Sequence, residues 1–502
     1  MTLTSGVRTT ERVLRPDPSR VVARLFLPGQ ELSTGGPSRS SEVLRRVQSL
    51  TDDEVDVELG TLRADFGSRH RDLDSTWEDH FALVEHRLPG VEEASVPRRQ
   101  LLGAYFTQEY SIEGAALFNP SMVPHPDQSG LEPGSTRFVM TLRAVGEGHI
   151  SSIELRTGTI DADDEVRLDP PPQVAVLGST LPPRWSRDAI AALLADLWGD
   201  HANSGFVLSR LPEVFDRADL DDALGSLRDE RLTRGAARVT MDRFELLVAS
   251  SYRTEFPASS SPQERVLVPQ APSERLGMED LRLVRFLGDA GEPAYVGTYT
   301  AYDGERITSQ LLTTDDLRTF AVSRLTGPGS RNKGLAIFPR KVGGRYVALS
   351  RADRENNAIT WSDDLSHWGA PVAVQRPQQW WEMVQLGNCG APIETDEGWL
   401  VLTHGVGPMR RYSIGALLLD LDDPTVVRGV LDRPLMTPDP DDRSGYVPNV
   451  VYSCGAMLHG RTLVLPYGCN DSTTRIALVA LDPLLAELLA AGAASSNLQE
   501  IS

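Results

Sequence analysis

The apolar positions follow two rhythms. Near the start and in one central stretch they recur at helical spacing, and elsewhere they fall into short, alternating runs. From residue 118 five segments share one build: an apolar strand, a polar turn, then a second apolar strand. They are Phe118 to Ala144, Glu279 to Tyr302, Leu335 to Arg351, Ala391 to Val406 and Asn449 to Gly468. The last four begin 56 to 58 residues apart. Strand pairs repeating at a fixed period predict a β-propeller, because one such unit cannot bury both its faces and must stack on neighbours around an axis. The expectation is a mainly β fold, a five-bladed β-propeller spanning 116–485. Two further segments match each other: Thr314-Asp315-Asp316-Leu317 with Phe320, and Ser362-Asp363-Asp364-Leu365 with Trp368. In each, the acidic pair is expected to turn the chain and the aromatic to plug between neighbouring blades.

The helical rhythm predicts an α-helical N-terminal region, 1–115. Thr51 and Glu54 form a capping box ahead of a helix to about Phe66. Asp74 or Ser75 is expected to cap a second helix through Trp77 and Phe81, and a third covers Arg98 to Tyr105. A helical insertion, about 160–275, separates the first two blades. In it Ser186 caps AIAALLADLW, Asp219 precedes DDALGSLRDERL, and Pro/Ser-rich residues 256 to 275 cross back to the sheets. Residues 482 to 492 predict a C-terminal helix ending at Gly492, with 486–502 as helix end and tail.

Charge narrows the function. The 502 residues carry 50 Lys+Arg against 70 Asp+Glu, a net −20. That balance argues against nucleic-acid binding and against anionic membranes. No run of about 18 apolar residues exists to span a bilayer, and the first residues hold no apolar signal segment. Cys389, Cys454 and Cys469 have neither disulfide nor metal spacing, so reduced thiols and a cytoplasmic location are expected. Only two lysines occur, Lys333 and Lys341. Arginine is the default cation here, which singles out Lys333 as a compact ammonium. No metal, nucleotide or serine-hydrolase motif is present, so no cofactor is expected.

A propeller holds its ligand in the axial funnel, on the inner strands. The polar residues assigned there are Asn119, Arg143, Glu279, Asp280, Arg282, Asn332, Lys333, Arg340, Arg351, His404, Asn449, Tyr467 and Asp471. Cations outnumber carboxylates in this set, although the whole protein is acidic. A local cationic funnel points to an anion site; the alternative is a ring of arginines paired with acids and backbone carbonyls. Alternation along a strand places Glu279 and Asp280 on opposite faces, leaving open which one faces the funnel. Trp380, Trp381 and Tyr446 are candidates to stack on a sugar ring.

Several of these motifs, in order, resemble glycoside hydrolase family 130, the β-mannoside phosphorylases and β-1,2-mannosidases. Gly277-Met278-Glu279-Asp280-Leu281-Arg282 resembles the family's G-x-E-D-P-R signature, and Asn332-Lys333 with Phe338-Pro339 its N-K-D…F-P strand. Ser362-Asp363-Asp364-Leu365 through Trp368-Gly369 resembles its S-x-D-L-x-x-W-G turn. Gly390-Ala391-Pro392, Gly398-Trp399-Leu400 and His404-Gly405 continue the match, as do Asp420 to Pro424 and Tyr467-Gly468 with Asp471. The sequence departs at Leu281, Gly334 and Ser350-Arg351-Ala352, where the family has Pro, Asp and H-R-P.

The resemblance implies a five-bladed propeller and inverting cleavage of β-mannosidic bonds with Asp280 as general acid. One carboxyl protonates the leaving oxygen while a nucleophile attacks the opposite face. If phosphate attacks, it needs basic donors instead of a base. Lys333, Arg340, Arg351 and His404 are the expected phosphate cradle, which favours phosphorolysis to mannose 1-phosphate. Asn119, Arg143, Glu279, Arg282, Asn332, Tyr446 and Asp471 are expected to bind substrate. If water attacks, Asp353, Glu355, Glu382 and Asp471 are the candidate bases. The expected partners are a mannose-containing oligosaccharide and inorganic phosphate as co-substrate, with a homo-oligomer possible through the N-terminal helices. A hydrolase on the same scaffold, and a non-catalytic glycan- or protein-binding propeller, are the alternatives.

Overall fold

The computed structural model describes residues 6–28, 39–87, 91, 93–199, 202–230, 234–289, 291–440 and 444–499. Arg231 and Leu232 of the expected insert helix, and the last three residues of the expected tail, lie outside them. The fold is mainly β, built on five antiparallel meanders in chain order. The first joins Ala116–Pro124, Thr136–Val145 and Ser151–Ile160. The second runs Gly277–Leu287, Pro293–Tyr302, Ile307–Thr314 and Thr319–Arg324. The third holds Ala336–Ile337, Tyr346–Ser350, Asn357–Ser362 and Val372–Gln375. The fourth packs Gln385–Asn388 and Ile393–Thr395 against Gly398–Gly407, followed by Arg411–Leu419 and Val427–Val430. The fifth sets Val451–Tyr452 and Met457–His459 against Thr462–Cys469, then Thr473–Ala480.

Each sheet shares an apolar layer with the next, and the circuit returns to its start. Leu283 and Tyr299 of the second sheet pack with Val139 and Leu155 of the first. Val296 and Leu311 meet Ile337 and Trp368 between the second and third. Phe338 and Val347 meet Trp399 and Val401 between the third and fourth, and Leu400 and Leu402 meet Leu463 and Leu465 between the fourth and fifth. Met457 and Val464 of the fifth then pack on Met122 and Met140 of the first. Val401 faces one layer while Leu400 and Leu402 face the other, as a two-residue period requires. Polar ties accompany the layers: Ser121 Oγ lies 3.3 Å from the Leu283 carbonyl, and Cys454 N donates to the Pro120 carbonyl at 2.8 Å.

The two matching turns are structural. Asp316 Oδ1 accepts from the amides of Arg318 and Thr319, both at 2.8 Å, and Asp364 Oδ1 from those of Ser366 and His367. Leu317 and Leu365 take φ of 55° and 68°, and Phe320 and Trp368 are buried.

The N-terminal region contains the expected helices, with the Thr51–Glu54 box capping Asp52–Phe66. The second helix, Leu73–Val84, is capped by Asp72, two residues earlier than Asp74, and the third is Val96–Tyr105. The region also contains strands that the helical reading missed. Val7–Leu14 pairs with Thr473–Ala480 and adds the outer strand of the fifth sheet, while Val21–Leu25 pairs with Thr107–Ser111. An edge strand half in solvent, with Thr9, Thr10 and Glu11 at its centre, lacks the clean alternation that marks a buried one.

The insertion has its own core around Ile190, Leu194, Phe215, Leu224 and Phe244. Ser186 caps Arg187–Trp198 as expected, and Arg217–Glu230 is followed by a further helix, Arg234–Val248, that was not anticipated. The insertion returns strands to the sheets: Tyr252–Glu255 extends the second and Arg265–Leu267 the first. The C-terminal helix is Leu481–Gln499 and does not stop at Gly492. That glycine is a close-approach residue, since a Cβ there would lie 1.7 Å from the Arg428 carbonyl oxygen.

Candidate active site

Asn or Asp recurs, in strands and in the loops beside them, where the backbone enters the left-handed region. Asn119, Asp280, Asn332, Asn449 and Asp471 have φ of 51°, 58°, 68°, 66° and 49°. These residue types tolerate that conformation better than other non-glycine residues. At Asp280 it belongs to a bulge, because the pairing register slips between Glu279 and Arg282. Asn119 sits in the same kind of slip between Phe118 and Ser121. A bulge breaks strict alternation. Glu279 and Asp280 therefore reach the same guanidinium instead of pointing apart: Arg143 Nη2 lies 2.7 Å from Glu279 Oε1, and its Nη1 3.5 Å from Asp280 Oδ1.

Asp280 opens into a cavity of about 180 Å³ with cationic walls. Asn119 Nδ2 donates to Asp280 Oδ1 at 2.7 Å. Burial favours the neutral acid, but the charges of Arg143, Arg282 and Lys333 and the Asn119 hydrogen bond outweigh it and hold Asp280 below the usual carboxylate range. Lys333 Nζ pairs with Glu279 Oε2 at 2.8 Å and also borders the cavity. Arg282 is a brace behind the wall. Its Nη1 donates to the Asp280 carbonyl at 3.0 Å, its Nε to Asn388 Oδ1 at 3.2 Å and its Nη2 to the Tyr452 hydroxyl at 2.5 Å.

On another wall, His404 Nδ1 lies 3.0 Å from the Asn388 carbonyl, which can only accept, so Nδ1 carries the proton. Its Nε2 then accepts from Arg351 Nη1 at 3.3 Å. Burial, followed by the charges of Arg351 and Arg282, pushes the imidazole well below its usual value. Neutral His404 thus holds Arg351 in place and has no spare donor for an anion, unlike the role expected of it. Asp471 completes the cavity. Burial, then the charge of Asp280, raises its pKa to about 6, opposite to the shift at Asp280. Two buried polar atoms on the wall residues, Asn119 Oδ1 and Arg351 Nε, have no hydrogen-bond partner.

The expected residues do not all converge. Arg340 pairs with Glu394 at 2.6 Å on the protein surface and lies over the Trp399 ring, away from the cavity. Arg340 stands three residues beyond the short strand Ala336–Ile337, and its bond to Glu394 holds the guanidinium outside the cavity lining. Tyr446 is 62% exposed beside His149 and does not line the cavity. Asn332 acts through its amide on the Arg351 carbonyl at 3.2 Å, fixing a loop. Trp381 is buried, Trp380 exposed. Among the candidate bases, Glu382 accepts the Gln378 and Gln379 amides and Asp353 those of Glu355 and Asn356, so both tie local turns. Asp471 alone of the four borders the cavity.

Five lining residues escaped the sequence reading: Arg410, Tyr412, Tyr452, Gln385 and Val450. Arg410 has φ of 55° in the turn after Gly407-Pro408, and that Gly-Pro punctuation was the available signal. Tyr412 stacks on His404 with ring centres 6.0 Å apart, and Tyr452 meets it edge-on at 4.8 Å. Among the described residues, no group of three His, Cys, Asp or Glu is placed to hold a metal ion.

Comparison with known proteins places this chain in a family. A family profile described as beta-1,4-mannooligosaccharide phosphorylase matches residues 247–488, from the end of the insertion to the C-terminal helix. A 1,2-beta-oligomannan phosphorylase of Thermoanaerobacter sp. is 32% identical over 43% of this chain and 72% of its own length. A beta-1,2-mannobiose phosphorylase of Listeria innocua is 32% identical over 51% of this chain and 73% of its own length. The structure of a Listeria innocua beta-1,2-mannobiose phosphorylase with beta-1,2-mannobiose aligns with a TM-score of 0.44 and 22% identity over 76% of this chain and 93% of that one. The two sequence relatives, each matched over more than two thirds of its length, establish that this chain belongs to the mannoside phosphorylase family, glycoside hydrolase family 130.

Proposed function

We propose that the five sheets close as a five-bladed propeller whose central cavity cleaves a β-mannosidic bond by phosphorolysis, releasing mannose 1-phosphate. The observation that carries this reading is the cationic cavity around one ionised aspartate in an acidic protein. Lys333, Arg351 and Arg410 border it. A phosphate dianion fits such a wall, because charge-assisted hydrogen bonds to guanidinium are directional and strong. The relatives whose names give an activity are mannoside phosphorylases, which supports the same substrate class.

Asp280 is the proposed acid. In the free protein it is held ionised by Arg143, Arg282 and Lys333. Phosphate arriving among the cations offsets their charge and moves the Asp280 pKa upward, so the acid gains its proton when the nucleophile is in place. Asp280 then protonates the leaving glycosidic oxygen. A phosphate oxygen forms the new bond to the anomeric carbon from the opposite face as the old C–O bond breaks, inverting the configuration. Hydrolysis is the second reading, and one observation favours it: Asp471, with a pKa raised to about 6, is a second carboxyl in the same cavity, as an inverting hydrolase requires of its base.

The test is Asp280→Asn. Turnover of β-1,2-mannobiose with phosphate falls by about 10²–10⁴-fold, the usual contribution of a general acid, while the urea midpoint stays near that of the parent. Parental turnover by a folded Asp280→Asn protein refutes the assignment.

A further inference from the structure

A second cavity, of about 270 Å³, lies between the inserted helices and the outer strands of the second sheet. One side is apolar, formed by Trp185, Ile190 and Leu193 of the insertion against Ala321 and Val322 of strand Thr319–Arg324. Its size lies just below the usual range of ligand pockets, roughly 300–1,000 Å³. It shares no lining residue with the Asp280 cavity.

Three arginines also line it: Arg184, Arg253 and Arg324. In a chain with 70 acidic residues against 50 basic ones, cations usually find acids. Here none of the three guanidinium groups makes a hydrogen bond or an ion pair within 4 Å among the described residues. Arg324 is half-buried, and burial outweighs the distant charge of Asp196 and lowers its pKa. Asp196 is engaged elsewhere, accepting the Gly327 amide at 3.0 Å. A cation drawn out of water without an acceptor is costly, and a bound anion relieves that cost. Trp185, 6% exposed, is the largest apolar side chain lining the cavity.

We propose that this cavity is a binding site for a small organic anion with a flat apolar body. Its carboxylate or phosphate group is taken by Arg324 and Arg253. The body lies against Trp185, Leu193 and Val322. The site is built largely by the insertion and is separate from the carbohydrate site.

The probe is 2-naphthoate, titrated calorimetrically into the full chain in saturating inorganic phosphate, with neutral methyl 2-naphthoate as control. The expected result is saturable 1:1 binding of the carboxylate and much weaker binding of the ester. Arg324→Gln and Arg253→Gln each weaken binding about tenfold, the loss of one charge-assisted hydrogen bond. Ala189→Trp, which fills the cavity, abolishes it. If Arg324→Gln does not fold, Arg253→Gln at the exposed edge and Ala189→Trp decide the matter. Absence of saturable binding, equal binding of acid and ester, displacement by phosphate, or indifference to the arginine and tryptophan substitutions each overturns the proposal.

Discussion

Asp471→Asn isolates the electrostatics of the cavity beside Asp280. The Asp471 carboxyl is raised from the ordinary 3.8 to about 6, by burial and then by the charge of Asp280. A folded-state pKa above the unfolded one means that the folded protein binds the proton more tightly. The Asp471 contribution to stability is therefore intact below pH 3.8 and is lost as pH rises through about 6. The shift converts to about 3 kcal/mol, so at pH 8 the ionised Asp471 costs the fold an amount of that order. Asparagine keeps the shape and removes the charge. In urea denaturation the variant should exceed the parent by up to about 3 kcal/mol at pH 8, with the gap shrinking to a few tenths near pH 4. Asp280→Asn in the parent should bring the Asp471 carboxyl, titrated by NMR, part of the way back toward 3.8, because the Asp280 charge is the second-largest cause of its shift. A variant no more stable than the parent at pH 8, or a gain equal at both pH values, refutes this picture of two carboxyls in opposition.

Three further outcomes follow from the geometry. Lys333→Ala raises the KM for phosphate more than that for sugar, whereas Arg340→Ala changes neither, because its partner is Glu394 on the surface; steady-state kinetics with each substrate varied would contradict this if Arg340→Ala matched Lys333→Ala. Gly492→Ala destabilises by about 1–3 kcal/mol despite the better helix propensity of alanine, because its Cβ meets the Arg428 carbonyl; a stabilised variant in denaturation would disprove the close packing. Trp368→Ala, emptying the layer between the second and third sheets, costs about 3–5 kcal/mol by the same measurement, and a loss below about 1 kcal/mol would contradict its place there.

Much of the architecture was legible because buried strands on a fixed period leave an alternating record. The five strand pairs and the Asp316 and Asp364 turns all lie where that record puts them. What escaped lies where the record weakens. Val7–Leu14 is a half-exposed edge strand, and its partner, Thr473–Ala480, is more than 450 residues away, a pairing no local pattern encodes. In the site, the cations Arg143, Lys333 and Arg351 were readable as charges in or beside strands, Arg143 within Thr136–Val145 and Arg351 directly after Tyr346–Ser350. The joint orientation of Glu279 and Asp280 was not, because strict alternation fails at a bulge. The clue was chemical: Asn and Asp recur at the very positions where the chain turns left-handed. Arg340 misled for the converse reason, since a charge near a strand end looks the same whether the chain continues inward or outward.

The central claim is that phosphate, not water, attacks in the cavity beside Asp280. The direct measurement is phosphorus NMR of the protein with β-1,2-mannobiose and inorganic phosphate, alongside a sugar analysis without phosphate. The account predicts α-mannose 1-phosphate, the inverted anomer, forming only when phosphate is present, and no mannose in its absence. Free mannose at the same rate with and without phosphate, and no phosphorylated sugar, would contradict it.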